Sequence, residues 1–142
     1  MNAMRFPKAR GQELVEYAMI LPIFVFLILG ILDLGRAVYY YSAINNGARE
    51  GARYGSIHLE EANVEANICN LVIHRTLGLG LTCDPLDPTP DVSTIFNFDT
   101  EIVKVTVSYS FKPVTPIIGR IFGGASSVPL STSSIMQLEY VP

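Results

Sequence analysis

Gly11-Gln12-Glu13-Leu14-Val15-Glu16-Tyr17 runs straight into Ala18-Met19-Ile20-Leu21-Pro22-Ile23-Phe24-Val25-Phe26-Leu27-Ile28-Leu29-Gly30-Ile31-Leu32, and this junction decides how the chain is built. The sixteen residues from Tyr17 to Leu32 carry no charge. As a helix they cover only about 24 Å, but adding Leu14 to Glu16 reaches the lower end of bilayer-spanning length. Glu16 then sits at or just inside one face of the membrane, a costly place for a carboxylate and one that asks for a functional reason. On the N-terminal side, Arg5, Lys8 and Arg10 stand with no acid among the first ten residues. That asymmetry holds the N-terminus in the cytoplasm and sends the rest outward.

Downstream there is no cluster of turn residues until Gly55-Ser56, so the same helix is expected to leave the membrane and continue to Tyr54, about 65 Å in all. Tyr39, Tyr40 and Tyr41 fall near the outer interface, where amphipathic rings are favoured. Pro22 predicts a kink or loosened turn. Asp33 and Arg36, three apart, form a candidate ion pair on one helix face. Ala43, Gly47, Gly51 and Gly55 place a small residue at every fourth position. Such a stripe suits a close backbone approach, either to this chain's own sheet or to a neighbouring helix in an assembly. Cleavage of the apolar run as a secretory signal is disfavoured, because the stretch ends in Asp33, Arg36 and the tyrosines rather than in small residues.

A glycine, four residues, then Glu-Tyr ahead of an apolar helix resembles the cleavage signal of type IV-type prepilins. With Leu21-Pro22, Gly30-Ile31-Leu32-Asp33-Leu34-Gly35-Arg36-Ala37 and Ala48-Arg49-Glu50-Gly51-Ala52-Arg53-Tyr54, the stretch from Gly11 to Gly55 is similar to the TadE-like minor pilins or pseudopilins of the tight-adherence (Tad) systems. The resemblance implies cleavage after Gly11 by a prepilin peptidase, leaving Gln12 as the new N-terminus. Major type IV pilins usually carry Phe or Met there, so Gln12 is a departure, and its N-methylation stays open. The resemblance also implies that Glu16 pairs with the α-amine of Gln12, its own or a neighbour's, during assembly. The residue-level alternative is a glutamate hydrated among headgroups. Implied partners are other pilin subunits, the prepilin peptidase, an inner-membrane platform, a cytoplasmic assembly ATPase and the lipid bilayer. The implied location is the inner membrane, single-pass with the C-terminal domain extracytoplasmic, or a surface pilus.

With 142 residues there is room for one modest domain beyond an anchor. Ten Lys+Arg against thirteen Asp+Glu offer no broad basic surface for nucleic acid. The mean hydropathy of +0.34 reflects the apolar run. Cys69 and Cys83 are the only cysteines, and an even count beyond a membrane span reads as one disulfide in an oxidising compartment. Two free thiols, or a metal site with His74 or Asp84 as added ligands, are the rival readings.

A second helix is expected from Leu59 to Leu77, with Glu60 and Glu61 in its first turn, Val64, Ile68, Leu71 and Val72 on one face, and Gly78 as a left-handed cap. Leu79 to Asp91 is a proline-rich loop. Val103, Val105, Val107, Tyr109 and Phe111 alternate with polar residues as a half-buried strand; Leu130, Thr132, Ser134, Met136, Leu138 and Tyr140 repeat the pattern, and Val92 to Phe98 is a weaker strand. A short helical turn is expected in Pro113 to Phe122. The fold class is thus α+β: a basic leader (1–11), a long N-terminal helix (12–56) whose membrane segment spans about 14–35, and an extracytoplasmic domain (57–142) with a second helix and a small antiparallel sheet.

Arg49, Glu50 and Arg53 read as a solvated stretch with local ion pairs, and His58 and His74 as single histidines without partners. Asp84, Asp87, Asp91 and Asp99 are spaced irregularly among prolines and match no calcium loop. No nucleophile–base pair, phosphate loop or zinc motif is visible, so neither an enzyme nor a cofactor is expected. Two classes of function remain: a structural subunit that enters or primes a filament, or an uncleaved membrane-anchored module that binds or scaffolds outside the cell.

Overall fold

The computed structural model describes residues 10–84, 89, 91–115 and 127–139; the side chains of Arg10 and Gln12 are also excluded. Residues 1–9 of the basic leader, Asp87, Tyr140 and the turn expected in Pro113 to Phe122, beyond Thr115, lie outside the described residues, and the last two leader residues already belong to the first helix. Helix α1 runs from Arg10 to Ile57, 48 residues, and passes through Pro22 without a break in its helical assignment. It is followed by α2 (Val64–Arg75), β1 (Val92–Asn97), β2 (Ile102–Phe111) and β3 (Val128–Gln137). The strands form one antiparallel sheet in the order β1-β2-β3. The architecture is α+β.

The sheet fits the helix by length. Ten strand residues extend about 33 Å, and the helix rises about 30 Å from Arg36 to Ser56, so one long strand can lie along the second half of α1. Its direction is set by contacts at both ends. Near the C-terminal end of α1, the Glu139 amide donates to the Ser56 carbonyl and the Leu138 amide to the Glu101 carbonyl. At the other end, Tyr40 meets Tyr109 and Phe111 edge to face, at 5.3 and 5.8 Å between ring centroids. The start of β2 therefore lies at the far tip and its end comes back toward the apolar run.

The alternation read in β2 decides its facing. Val103, Val105, Val107 and Phe111 are buried while their neighbours are more open. In β3, Leu130, Thr132, Ser134 and Met136 take the inner positions opposite Tyr109, Val107, Val105 and Val103. These side chains close over Ile44, Ala48 and Ala52 of α1 and Ile68 and Val72 of α2, which are fully buried. The β1–β2 turn is closed by Asn97, whose Oδ1 accepts from the amides of Asp99 and Thr100 at 3.1 and 3.2 Å, with Glu101 at φ 51°.

Helix α2 is shorter than the pattern suggested. It starts at Val64, because Glu61 is drawn away from a first-turn position: its Oε2 accepts from the Tyr54 hydroxyl at 2.7 Å and from Asn67 Nδ2 at 2.9 Å. Glu65 takes the first-turn place instead. The helix ends at Arg75, ahead of the expected Leu77, where Thr76 turns its hydroxyl back to the Val72 carbonyl at 2.8 Å; Gly78 follows at φ +94°. Cys69 and Cys83 are bonded, joining α2 to the chain that leads into β1 with their Cα atoms 6.1 Å apart. A loop of about 15 residues closed this way contributes roughly 3 kcal/mol in the chain-entropy view. Asp91 ties the same loop from its other side, accepting from the Thr82 amide at 3.0 Å and hydroxyl at 3.2 Å.

Candidate functional site

Helix α1 carries the functional candidates, and it divides at Asp33. Before it, the large side chains from Leu14 to Leu32 are exposed on the helix surface, except Leu29, which is half-buried. This is the stretch long and apolar enough to cross a membrane, and it fits a single-pass anchor. Gly11, Glu16 and Tyr17 all lie on the exposed surface of its first turns. Among the described residues, a Cβ added at Gly30 or Gly35 would meet no atom within 4 Å.

After Asp33 the helix is packed, and here the small-residue stripe finds its partner inside the chain. A Cβ on Gly47 would lie 3.0 Å from Thr76 Cγ2, on Gly51 2.9 Å from Val72 Cγ2 and 3.2 Å from Ile68 Cγ2, and on Gly55 2.9 Å from Ile68 Cδ1 and 3.2 Å from Val103 Cγ2. At Gly51 and Gly55 a real Cβ essentially never comes this close, and at Gly47 the neighbour would have to give, so glycine lets α2 and the sheet settle directly on the α1 backbone. Of the two packings open in the sequence, the stripe of Gly47, Gly51 and Gly55 serves the intramolecular one. Ala43 is only half buried beside the same core.

Asp33 marks the boundary. It is 2% exposed, and its partners lie more than eighty residues away in sequence. Oδ1 accepts from the Val114 amide at 3.0 Å; Oδ2 accepts from the Thr115 amide at 2.8 Å and the Thr115 hydroxyl at 2.6 Å. The expected ion pair with Arg36 is present, but at 3.5 Å it is the outermost of these contacts. Arg36 instead spreads its guanidinium over the rings of Tyr40 and Phe111, 5.7 and 5.6 Å from their centroids. The role of Val114 and Thr115 was missed in the sequence, although a signal exists. Pro113 has no N–H and ends the strand, leaving the next two amides without a ladder partner, while an acid at the end of an apolar run needs donors. Of the three tyrosines, Tyr40 is taken up by this cluster, whereas Tyr39 and Tyr41 stay exposed.

Other candidates also change meaning. Glu50 pairs with Arg75 of α2 at 3.3 Å, a long-range pair rather than a local one. Arg49 and Arg53 remain exposed on the same side. His58 is not partnerless: its ring stacks on Tyr54 at 4.1 Å and its Nδ1 lies 3.1 Å from the Tyr54 carbonyl. His74 is exposed. The bonded cysteines exclude their use as metal ligands, and among the described residues no group of three or more His, Cys, Asp or Glu side chains converges as a metal site requires.

The bare apolar turns behind Gly11-x-x-x-x-Glu16-Tyr17, and the packed turns that begin at Asp33-x-x-Arg36, are both contained in one known pattern. Residues 11–53 match the TadE-like protein family model. The TadE-like match stops four residues before α1 does, so it covers the helix and none of the α2 and sheet domain. No curated protein and no solved structure matches the chain. The TadE-like match supports an association with a Tad pilus system and with its membrane or pilus location.

Proposed function

We propose that this chain is a structural subunit, a minor pilin or pseudopilin that enters a Tad or type IV-like filament used in surface attachment or secretion, or primes its assembly. One observation carries the reading: the Gly11-x-x-x-x-Glu16-Tyr17 signal stands at the head of a bare apolar helix, inside the TadE-like match. On this reading prepilin peptidase cuts after Gly11, and Glu16 meets the new amine of Gln12 in the bundle of neighbouring helices. At about 4 Å and an effective dielectric near 20, such a pair is worth about 4 kcal/mol before desolvation, enough to select helix register. The inner-membrane platform, the assembly ATPase and other pilins are its proposed partners. Its role is non-catalytic.

The test has two parts. Intact mass and N-terminal sequencing of protein from a peptidase-positive host should find Gln12 first, and Gly11→Ala should weaken or block that cut. Glu16→Gln should then leave cleavage and insertion intact while depleting the protein from sheared filaments relative to membranes. A chain that keeps Met1 in such a host would overturn the pilin reading in favour of an uncleaved, membrane-anchored binding or scaffold module.

A further inference from the structure

The Asp33 cluster has a position as well as a chemistry. Glu16 and Asp33 are seventeen residues apart, about 26 Å along the helix axis, close to the ~30 Å hydrocarbon thickness of a bilayer. With Glu16 at the cytoplasmic boundary, Asp33 arrives at the outer one. A carboxylate at the end of an apolar span still needs partners, and the chain supplies the Val114 and Thr115 amides and the Thr115 hydroxyl. Those bonds pin the end of β2 at the same depth. The pinned segment is built for an interface rather than for water or core. Val114, whose own amide is held by Asp33, is 66% exposed, while Thr115 beside it is 3% exposed. Lys112 is exposed two residues earlier, next to Phe111, which lies under the Arg36 guanidinium. Tyr39 is exposed on α1 six residues beyond Asp33, about 9 Å along the axis. An apolar side chain, an aromatic ring and two cations within about 10 Å of depth form the composition favoured among lipid headgroups.

We infer that Lys112–Thr115 is a second membrane contact of this protein: clasped to Asp33, it sets Val114 into the outer headgroup boundary and turns Lys112 and Arg36 toward lipid phosphates. The occupant of the surface is the bilayer itself, because the patch is continuous with the apolar face of α1. The inference rests on the membrane-span reading of residues 14–35. Its consequence is mechanical, since a domain held at two points has a defined height and tilt over the membrane.

The chain contains no tryptophan, so single substitutions report depth without background. Phe24→Trp lies in the span, Val114→Trp in the proposed contact, and Ile95→Trp on the outer sheet face; the wild-type side chains are 60%, 66% and 55% exposed, so each replacement has room. Ile95 pairs with Lys104, seven residues before Phe111 and about 23 Å farther along the strand, which makes it the aqueous control. The full chain would be reconstituted in phosphatidylcholine–phosphatidylglycerol vesicles carrying bromines at shallow or deep acyl positions. Phe24→Trp should be quenched mainly by deep bromines, Val114→Trp mainly by shallow ones and at least twofold more than Ile95→Trp. Adding Asp33→Asn to Val114→Trp should lower the shallow quenching. If Phe24→Trp is quenched while Val114→Trp matches Ile95→Trp, the second contact is overturned and the span stands. If Phe24→Trp is itself unquenched, the span reading fails and the inference with it. Undiminished quenching on adding Asp33→Asn would refute the clasp as its cause.

Discussion

The two halves of α1 invert the usual relation between side-chain size and burial. Residues 14–32 carry large apolar side chains and leave all but Leu29 exposed, whereas the packed half buries Ile44, Ala48, Ala52 and three glycines. In a protein surrounded by water alone this would be a misassembled core. In a membrane it is consistent, because lipid is as apolar as leucine and there is no hydrophobic penalty for leaving the bare half against it. The packed half meets α2 and the sheet, and it buries its surface by closeness rather than bulk. Asp33 stands where one regime gives way to the other.

The comparison can be broken most sharply at that boundary. Replacing Asp33 with Ala would leave two amides and one hydroxyl without an acceptor in a buried place, and the domain should lose about 4 kcal/mol, read by denaturation in detergent micelles. Asp33→Asn keeps one acceptor and should fall between. A loss below about 1 kcal/mol for Asp33→Ala would mean that Arg36 and the rings, rather than the clasp, hold this end.

Glycine gives the next largest contrast. Gly51→Leu must displace Val72, Ile68 and Val105, and should cost about 3 kcal/mol, while Gly35→Leu has open space and should be close to neutral in micelles. Equal losses would erase the distinction between the halves. Gly51→Leu that keeps its stability but fails to enter filaments would return the stripe to intersubunit packing.

The disulfide bears only on the outer domain. Cys69→Ala should lower stability by about 2 to 3 kcal/mol and leave membrane insertion unchanged. Protease sensitivity should rise around the loop that ends at Asp91.

The smallest effect belongs to Glu61 at the tip. Its carboxyl is held below the ordinary 4.5 first by the Tyr54 hydroxyl and then by the Asn67 amide. A carboxyl lowered in the folded state adds stability above its unfolded value, and that stability is lost as pH falls through the folded one. The parent should thus weaken from about pH 4.5 downward slightly more than Glu61→Gln does. Parallel stability profiles of the two down to pH 3 would remove the Tyr54–Glu61–Asn67 group from the account.

Much of this organisation was legible from residue patterns. The apolar run with its flanking charge gave the long helix, and strict alternation from Val103 to Phe111 gave the central strand and its buried face; β1, read weakly from Val92, lies where expected. Local readings failed where a residue had a choice between a near partner and a distant one. Glu61 left its helix for Tyr54, Glu50 chose Arg75 over neighbouring arginines, and Asp33 bound Val114 and Thr115 more closely than Arg36.

What the sequence determined by itself was periodicity and boundary: which stretches are apolar enough for lipid, which alternate, where acids and glycines interrupt them. These depend on neighbours along the chain, and spacing alone expresses them. What the tertiary structure decided was occupancy. A stripe of small residues states that something approaches closely, not whether it is α2 or another molecule. An acid at the end of an apolar run states that donors are needed, not that they come from the end of a strand more than eighty residues later. Those answers follow from three-dimensional packing, in which β2 matches the outer half of α1 in length and so delivers Val114 and Thr115 to Asp33.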